Sequence, residues 1–426
     1  MGLISKVLYL KETKDLIEEG LINVGSNITE YDTFRSYPDI VDDLYNSWPR
    51  VTATGESVTL DQTMKAPLNI DLKGNTSQIG TPTPSSPIPV NVVSGDNEVV
   101  VCGKNLIDNT ATSQTFNNIS VTINSDKSIT LNGTASAAGN IMIKDDANLS
   151  LNGTYTLSTK VVGSITPGPQ GNFATISVVV RDYSYSNIIT NVSLTSNNTM
   201  KTTQTLSSNC KQIILYVFNG ATFNNVTIYP MLEKGSTATT YEPYTSQNYS
   251  ISLGTYELCK IGTYQDYIYK DSGKWYLHKE IGKVVLNGSE SWSYEGGRFV
   301  VNFLINALNT SGRQQALSNY FNYVASGSAS YGIFIYKASD TNYQIYIYDT
   351  DYTTANDFKT WLGTHNTNVY YVLNTPIEEE ITNTTLINQL EALKGAMSYE
   401  GQTNISQVNN DLPFILSAEA LKGSAE

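Results

Sequence analysis

Pro230-Met-Leu-Glu-Lys-Gly-Ser-Thr-Ala-Thr-Thr-Tyr-Glu-Pro-Tyr244 is the most informative string in this chain. It follows an apolar alternating run (Val226, Ile228, Met231) and passes through a Gly-Ser-Thr turn into an aromatic Tyr241-Glu-Pro-Tyr244 exit. That succession is expected where an edge strand leaves a β-sandwich.

Upstream of it, strands recur at short intervals, at Ile119 to Ile123, Ser128 to Leu131, Thr154 to Val162, Ala174 to Arg181, Gln212 to Phe218 and Asn225 to Tyr229. Asn132-Gly133, Asn152-Gly153 and Asn219-Gly220 supply the positive φ angles that tight turns demand. Many short strands with regular turns argue for a sandwich or jelly roll over 106–248. Downstream, 249–290 reads as a β-hairpin connector with its turn at Asp271-Ser-Gly273. A second sandwich then covers 291–380, with strands at Phe299 to Leu304, Tyr331 to Tyr336, Tyr343 to Tyr348 and Val369 to Leu373, and a helix at Thr354 to Leu362. Over 381–426, the apolar positions Leu386, Ile387, Leu390 and Leu393 share one helical face, and Asp411 to Ser417 reads as a terminal strand.

Lys11 to Trp48 reads as two short helices, from the spacing of Leu16, Ile17, Leu21 and Ile22 and then of Phe34, Tyr37, Ile40, Val41 and Leu44, in a small helical module covering 1–65. Between them and the first sandwich, 66–105 reads as a stiff connector, because Pro82, Pro84, Pro87 and Pro89 remove backbone donors and favour extended geometry. The expected fold class is therefore mainly β: a small N-terminal helical module, two jelly-roll-like sandwiches, and a short C-terminal helix plus strand.

Composition agrees with several units and narrows the function. The 426 residues exceed one ordinary core, hydrophobic residues make up 40% and charged ones only 15%, and tyrosine occupies 29 positions. A net charge of −13 with no basic, aromatic-interleaved cluster argues against nucleic-acid binding. Cys102, Cys210 and Cys259 lack any metal or disulfide spacing, and His278 and His365 read as isolated residues. The N-terminus has neither the apolar core of a signal peptide nor a myristoylation signal, so no secretion, lipid anchor or membrane association is expected.

No phosphate-binding glycine loop, G-x-S-x-G elbow or H-E-x-x-H helix occurs. A glycosidase needs only two suitably separated carboxylates, and Asp145, Asp146, Asp182, Glu233, Glu290, Glu295, Asp349 and Asp351 are candidates among 39 acidic residues. Calcium is the one metal to consider, through oxygens of Asp349-Thr-Asp351 or Asp145-Asp146; no cofactor is expected. Sugar binding uses rings that stack on pyranose faces, and the rings singled out are Trp275, Trp292, Tyr294, Tyr331 and Trp361, with the Tyr183-Ser-Tyr185 loop beside them.

The 230–244 string resembles the closing strand and exit loop of carbohydrate-binding-like jelly-roll modules in bacteriophage structural proteins. Thr13-Lys-Asp-Leu-Ile17 and Tyr31-Asp-Thr-Phe-Arg-Ser-Tyr-Pro-Asp-Ile40 resemble a module at the start of phage tail-fibre and minor structural proteins. The proline run leading into Val99-Val-Val-Cys-Gly-Lys-Asn-Leu-Ile107, and Tyr399-Glu-Gly-Gln-Thr-Asn-Ile-Ser406, are similar to strings in such proteins of Gram-positive phages. The resemblance implies a non-catalytic virion surface protein made in the host cytoplasm: a tail fibre or receptor-binding protein adhering to host surface polysaccharide. Its partners would be other virion proteins, met through the N-terminal module, and further copies of itself, with a trimer the usual fibre arrangement. A head fibre, collar or capsid-decorating protein is the alternative, and a cell-surface glycosidase the second.

Overall fold

A computed structural model describes residues 50–422, apart from 63, 148, 169–175, 183–186, 304–305, 308–311, 340–341 and 409–411. The helices expected before Trp48 and the Tyr183-Ser-Tyr185 loop lie outside the described residues. Arg50–Gly55 and Val58–Gln62, inside the helical module expected at 1–65, are instead strands paired with Ile415–Leu421 and Gly401–Val408, because Val58 and Leu60 are buried in a core shared with those strands. What is described is mainly β, with twenty-nine strands and two helices. These gather around three large apolar cores.

The first core belongs to the 106–234 region. Strand Leu149–Thr166 pairs antiparallel with Thr222–Lys234 on one side and with the first half of Thr199–Val217 on the other. From Gln212 onward that last strand changes neighbours, pairing with Gly139–Lys144 and Ile176–Asp182. One hydrogen-bonded sheet is thus folded over into two layers. Leu157, Val161, Ile228 and Leu232 of one layer share a core with Ile143, Val178, Val180 and Leu215 of the other. Apolar residues at every second position have no other way to leave water on both layers at once.

Two of the three Asn-Gly pairs do not make turns. Asn132-Gly133 lies inside strand Ile129–Thr134 and Asn152-Gly153 inside Leu149–Thr166, and only Asn219-Gly220 links two strands. Gly133 has φ +120° because the chain comes so close to the facing strand that a Cβ there would sit 2.7 Å from the Asn118 carbonyl oxygen. Gly133→Ala is expected to destabilise this unit by ~2 kcal/mol, seen as an earlier midpoint in urea unfolding.

The second core is built from segments that read separately in the sequence. Leu68–Lys73 of the expected Pro-rich connector is hydrogen-bonded to Ile415–Leu421 from the C-terminal end and to Tyr267–Asp271 from the hairpin. Asp96–Cys102 lies between Ser246–Ser252 and Gly401–Val408. Leu60, Val99, Ile251, Leu277, Phe414 and Leu416 therefore form one core, closed by Leu386, Leu390 and Leu393 of helix α2 (Thr384–Lys394). The stretches expected at 66–105, 249–290 and 381–426 as connectors and tail thus contribute strands to one central body, from which the 106–234 unit emerges as an excursion. The prolines sit on a loop that reaches the outer unit formed by 284–373: Ile88 N–H donates to the Asn319 carbonyl, and the Gln78 amide to those of Ile88 and Ser318. The hairpin turn at Ser272-Gly273, with φ +47° and +83°, falls where the sequence places it.

The third core lies at 284–373. A five-stranded sheet, in the order Trp292–Glu295, Arg298–Phe303, Asn342–Asp349, Tyr331–Ser339, Arg313–Gln314, packs one face against Val369, Tyr371 and Leu373. Helix α1 (Ala355–Leu362) completes it: Thr354 caps the helix through the Asp357 N–H, and Phe358 stacks on Phe299 at 4.1 Å. Strands Lys274–Leu286 and Thr367–Glu380 run through both the central and the outer unit as one ladder, whose register shifts between Lys279 and Ile281.

Candidate functional site

Helix α1 starts a few residues after strand Asn342–Asp349 ends, so the turn between them and one helix face bound a shallow groove of about 440 Å³. Its lining combines the rings of Tyr352 and Trp361, the carboxylates of Asp351 and Asp357, and the hydroxyls of Thr353, Thr360 and Thr364. Asp357 lies three and four residues before Thr360 and Trp361, which puts these three along one side of the helix, with Thr353 and Thr364 just beyond its two ends.

The groove is held by a small polar network. Tyr331 donates its hydroxyl to Asp351 Oδ1 at 3.0 Å, and the Asp351 N–H donates to Asp349 Oδ1 at 2.9 Å. Asp349 itself is buried beneath the rim, with its Oδ2 unpartnered among the described residues. Burial, aided by the Asp351 charge and opposed by the Asp351 N–H, raises its carboxyl to about 6. Burial and then the charges of Asp349, Asp351 and Asp357 raise the Tyr352 phenol above its usual 10, keeping it a neutral hydroxyl donor. Trp361 is fixed by a parallel contact with His365 (4.6 Å) and an edge contact with Tyr320 (5.1 Å). This surface offers carboxylate acceptors, hydroxyls and aromatic carbon within one open depression, the set that fixes sugar hydroxyls and C–H faces.

The five rings singled out from the sequence are placed very differently. Trp361 lines the groove and Tyr331 reaches its rim through Asp351. Trp275 lies in the central core, 8% exposed, its indole N–H donating to Glu391 at 2.7 Å. Trp292, also 8% exposed, packs edge-on to Phe358 and donates to Glu290. Rings buried to this degree have no free face for a pyranose. Tyr294 is exposed but stands apart, in the hairpin beside Phe299. Tyr352 and the threonines escaped the sequence reading; Thr360 alone of them lies in the helix, and no local spacing ties the others to Trp361.

Most of the candidate carboxylates hold the fold locally. Glu233 accepts from the Thr239 N–H and hydroxyl, Glu290 caps the Asn287 and Gly288 N–H groups, and Glu295 accepts from Ser293. Asp182 accepts from Asn187, Asp145 from Gln212, and Asp146 is paired with Lys211. Asp349 and Asp351 are joined through the Asp351 N–H. Among the described residues no group of three or more His, Cys, Asp or Glu side chains is assembled to hold a metal ion, and no helix is long and apolar enough to cross a membrane.

No protein-family model matches this sequence, and no curated protein does. Among solved structures, a weak similarity is to the infectious bursal disease virus VP2 subviral particle, at 10% identity over 86% of this chain and 82% of that one, with a TM-score of 0.08. A score so low carries no argument about fold or function.

Proposed function

We propose that this chain is a bacteriophage virion protein of the tail-fibre or receptor-binding type, adhering to host surface polysaccharide without turning it over. The observation that carries the reading is the groove around Trp361, whose carboxylates, hydroxyls and rings suit a sugar chain. Its openness fits weak single-site contact made strong by several copies on one particle. Asp349, whose carboxyl is raised to about 6, is buried below the rim, which favours adhesion over acid–base chemistry. Attachment to the particle falls to the N-terminal module.

The test is saturable binding of the purified chain to Gram-positive cells, with soluble cell-surface polysaccharide as competitor. Deleting 291–426 would strip strands Gly401–Val408 and Ile415–Leu421 from the central core, so a point change is the cleaner probe. Asp351→Asn still accepts the Tyr331 hydroxyl but loses its charge, and is expected to weaken binding about tenfold. No reducing ends should be released from the polysaccharide. Absence of competed binding by the oligomeric chain would move the assignment to a head-fibre or collar protein.

A further inference from the structure

The five-stranded sheet of the outer unit turns one face to its core, and its opposite face carries a row of four side chains, one per strand. Arg298 lies over the Tyr346 ring at 4.8 Å, Tyr346 stacks on Phe334 at 4.8 Å, and Arg313 lies over Phe334 at 4.1 Å. The strands that carry them are successive neighbours. The two guanidiniums therefore stand three strand spacings apart, roughly 14 Å.

These cations are unusual in their surroundings. The chain has a net charge of −13 and only five arginines, and lysines such as Lys104, Lys144, Lys270, Lys274 and Lys283 are paired with carboxylates. Arg298 and Arg313 have no carboxylate partner among the described residues. Glu295, opposite Arg298 in register, turns its carboxylate to the Ser293 hydroxyl instead. Arg298 Nε is buried and finds no acceptor among the described residues. Arg313 donates to the Val324 carbonyl and the Tyr348 hydroxyl, both uncharged. Tyr336, exposed and paired in register with Arg313, adds a ring to the same face.

A guanidinium without a carboxylate partner keeps its charge uncompensated and has N–H groups left for an external oxyanion, even in Arg313, which commits one N–H on each Nη to an uncharged acceptor. Two of them at this separation are too far apart to clamp one small anion, and meet charges on successive units of a polymer. We propose that this face binds an acidic glycan, a sugar chain bearing carboxylate or phosphate groups, with the guanidiniums taking the anions and Tyr336 a sugar face. The inference rests on the polysaccharide reading above and names the ligand's charge, at a surface separate from the Trp361 groove.

The experiment measures binding of the full chain to polygalacturonate, hyaluronate and phosphomannan, with neutral dextran and single-stranded DNA as further arms, at low and raised salt. Binding to at least one acidic glycan is expected, weakened by salt, and about tenfold weaker in Arg298→Gln and Arg313→Gln. The carboxylated and phosphorylated arms identify which anion is read. Equal binding to dextran or DNA, no binding to any acidic glycan, or unchanged affinity in both variants would overturn it. Should the glutamine variants unfold, Arg298→Lys and Arg313→Lys keep charge and stem but lose the fork, and unchanged affinity in these is equally fatal. Unchanged cell binding by Asp351→Asn marks failure of the groove reading, whereas unchanged acidic-glycan binding by the arginine variants marks failure of this one, so the two are separately visible.

Discussion

Asp266→Ala is expected to destabilise the protein by ~4 kcal/mol, because it would leave three buried backbone donors without an acceptor. The Asp266 side chain is fully buried where the ladder between Lys274–Leu286 and Thr367–Glu380 shifts register. Its Oδ1 accepts from the N–H groups of Glu280 (2.8 Å) and Ile281 (3.0 Å), and its Oδ2 from that of Cys259 (3.0 Å). The bulge joins the central and outer units, so the loss should appear in thermal unfolding as a lower, broader transition in which the outer unit melts first. Asp266→Asn keeps one acceptor oxygen but turns an amide N–H₂ toward the Cys259 N–H, and should cost about half as much.

The same residue sets a pH dependence. Burial raises the Asp266 carboxyl from 3.8 to about 6, although its three backbone hydrogen bonds and Lys279 pull it down. Folding therefore takes up a proton between about pH 4 and 6. The stability this group contributes is fully present below pH 3.8 and is lost as pH rises through about 6. Asp349, raised to about 6 as well, acts in the same direction. Thermal midpoints of the wild type and Asp266→Asn should converge as the pH rises from 4 to 7, while a constant difference between them would refute the assignment.

Asn105→Ala is expected to cost ~3 kcal/mol and to loosen the neck of the 106–234 unit. Asn105 is buried between the incoming and outgoing chains. Its amide N–H₂ donates to the Glu242 carbonyl at 2.8 Å and to that of Pro230, while its Oδ1 accepts from the Ile107 and Leu232 N–H groups. Lys104 pairs with Glu242, Gly103 N–H bonds the Thr245 carbonyl, and the Tyr241 hydroxyl donates to the Asp126 carbonyl. Limited proteolysis should then cut between 235 and 245 in the variant and spare the wild type. Unchanged protection together with an unchanged unfolding midpoint would remove Asn105 from this role.

Two distant strings of the sequence meet in that neck. Gly103-Lys-Asn-Leu-Ile107 and Pro230 to Tyr244 are the two halves of one clasp. Leu106 N–H bonds the Leu232 carbonyl, and Pro230, with no N–H to donate, shows its carbonyl to Asn105 instead. Short-range rules also carried strands of the 106–234 and 284–373 units, the helix expected at Thr354 to Leu362, the α2 stripe and the Ser272-Gly273 turn. They failed at Gly133 and Gly153, because a positive φ inside a strand and one in a turn demand the same residue. Within the groove, Trp361 was visible as an aromatic near a helix end, whereas Trp275 and Trp292 looked the same in sequence and proved to be buried.

By itself the sequence determined the mainly β class, the alternation that makes each strand one-sided, and the places where turns and caps stop them, since these depend on residues within a few positions of one another. Tertiary structure alone decided that 66–105, 249–290 and 381–421 contribute to one body. Pairing Leu68–Lys73 with Ile415–Leu421 is a choice among many apolar strands of the same period, and it is settled only when all their faces are buried together. Tertiary structure likewise decided which rings and cations face outward, because exposure belongs to the packed layers and not to the residue.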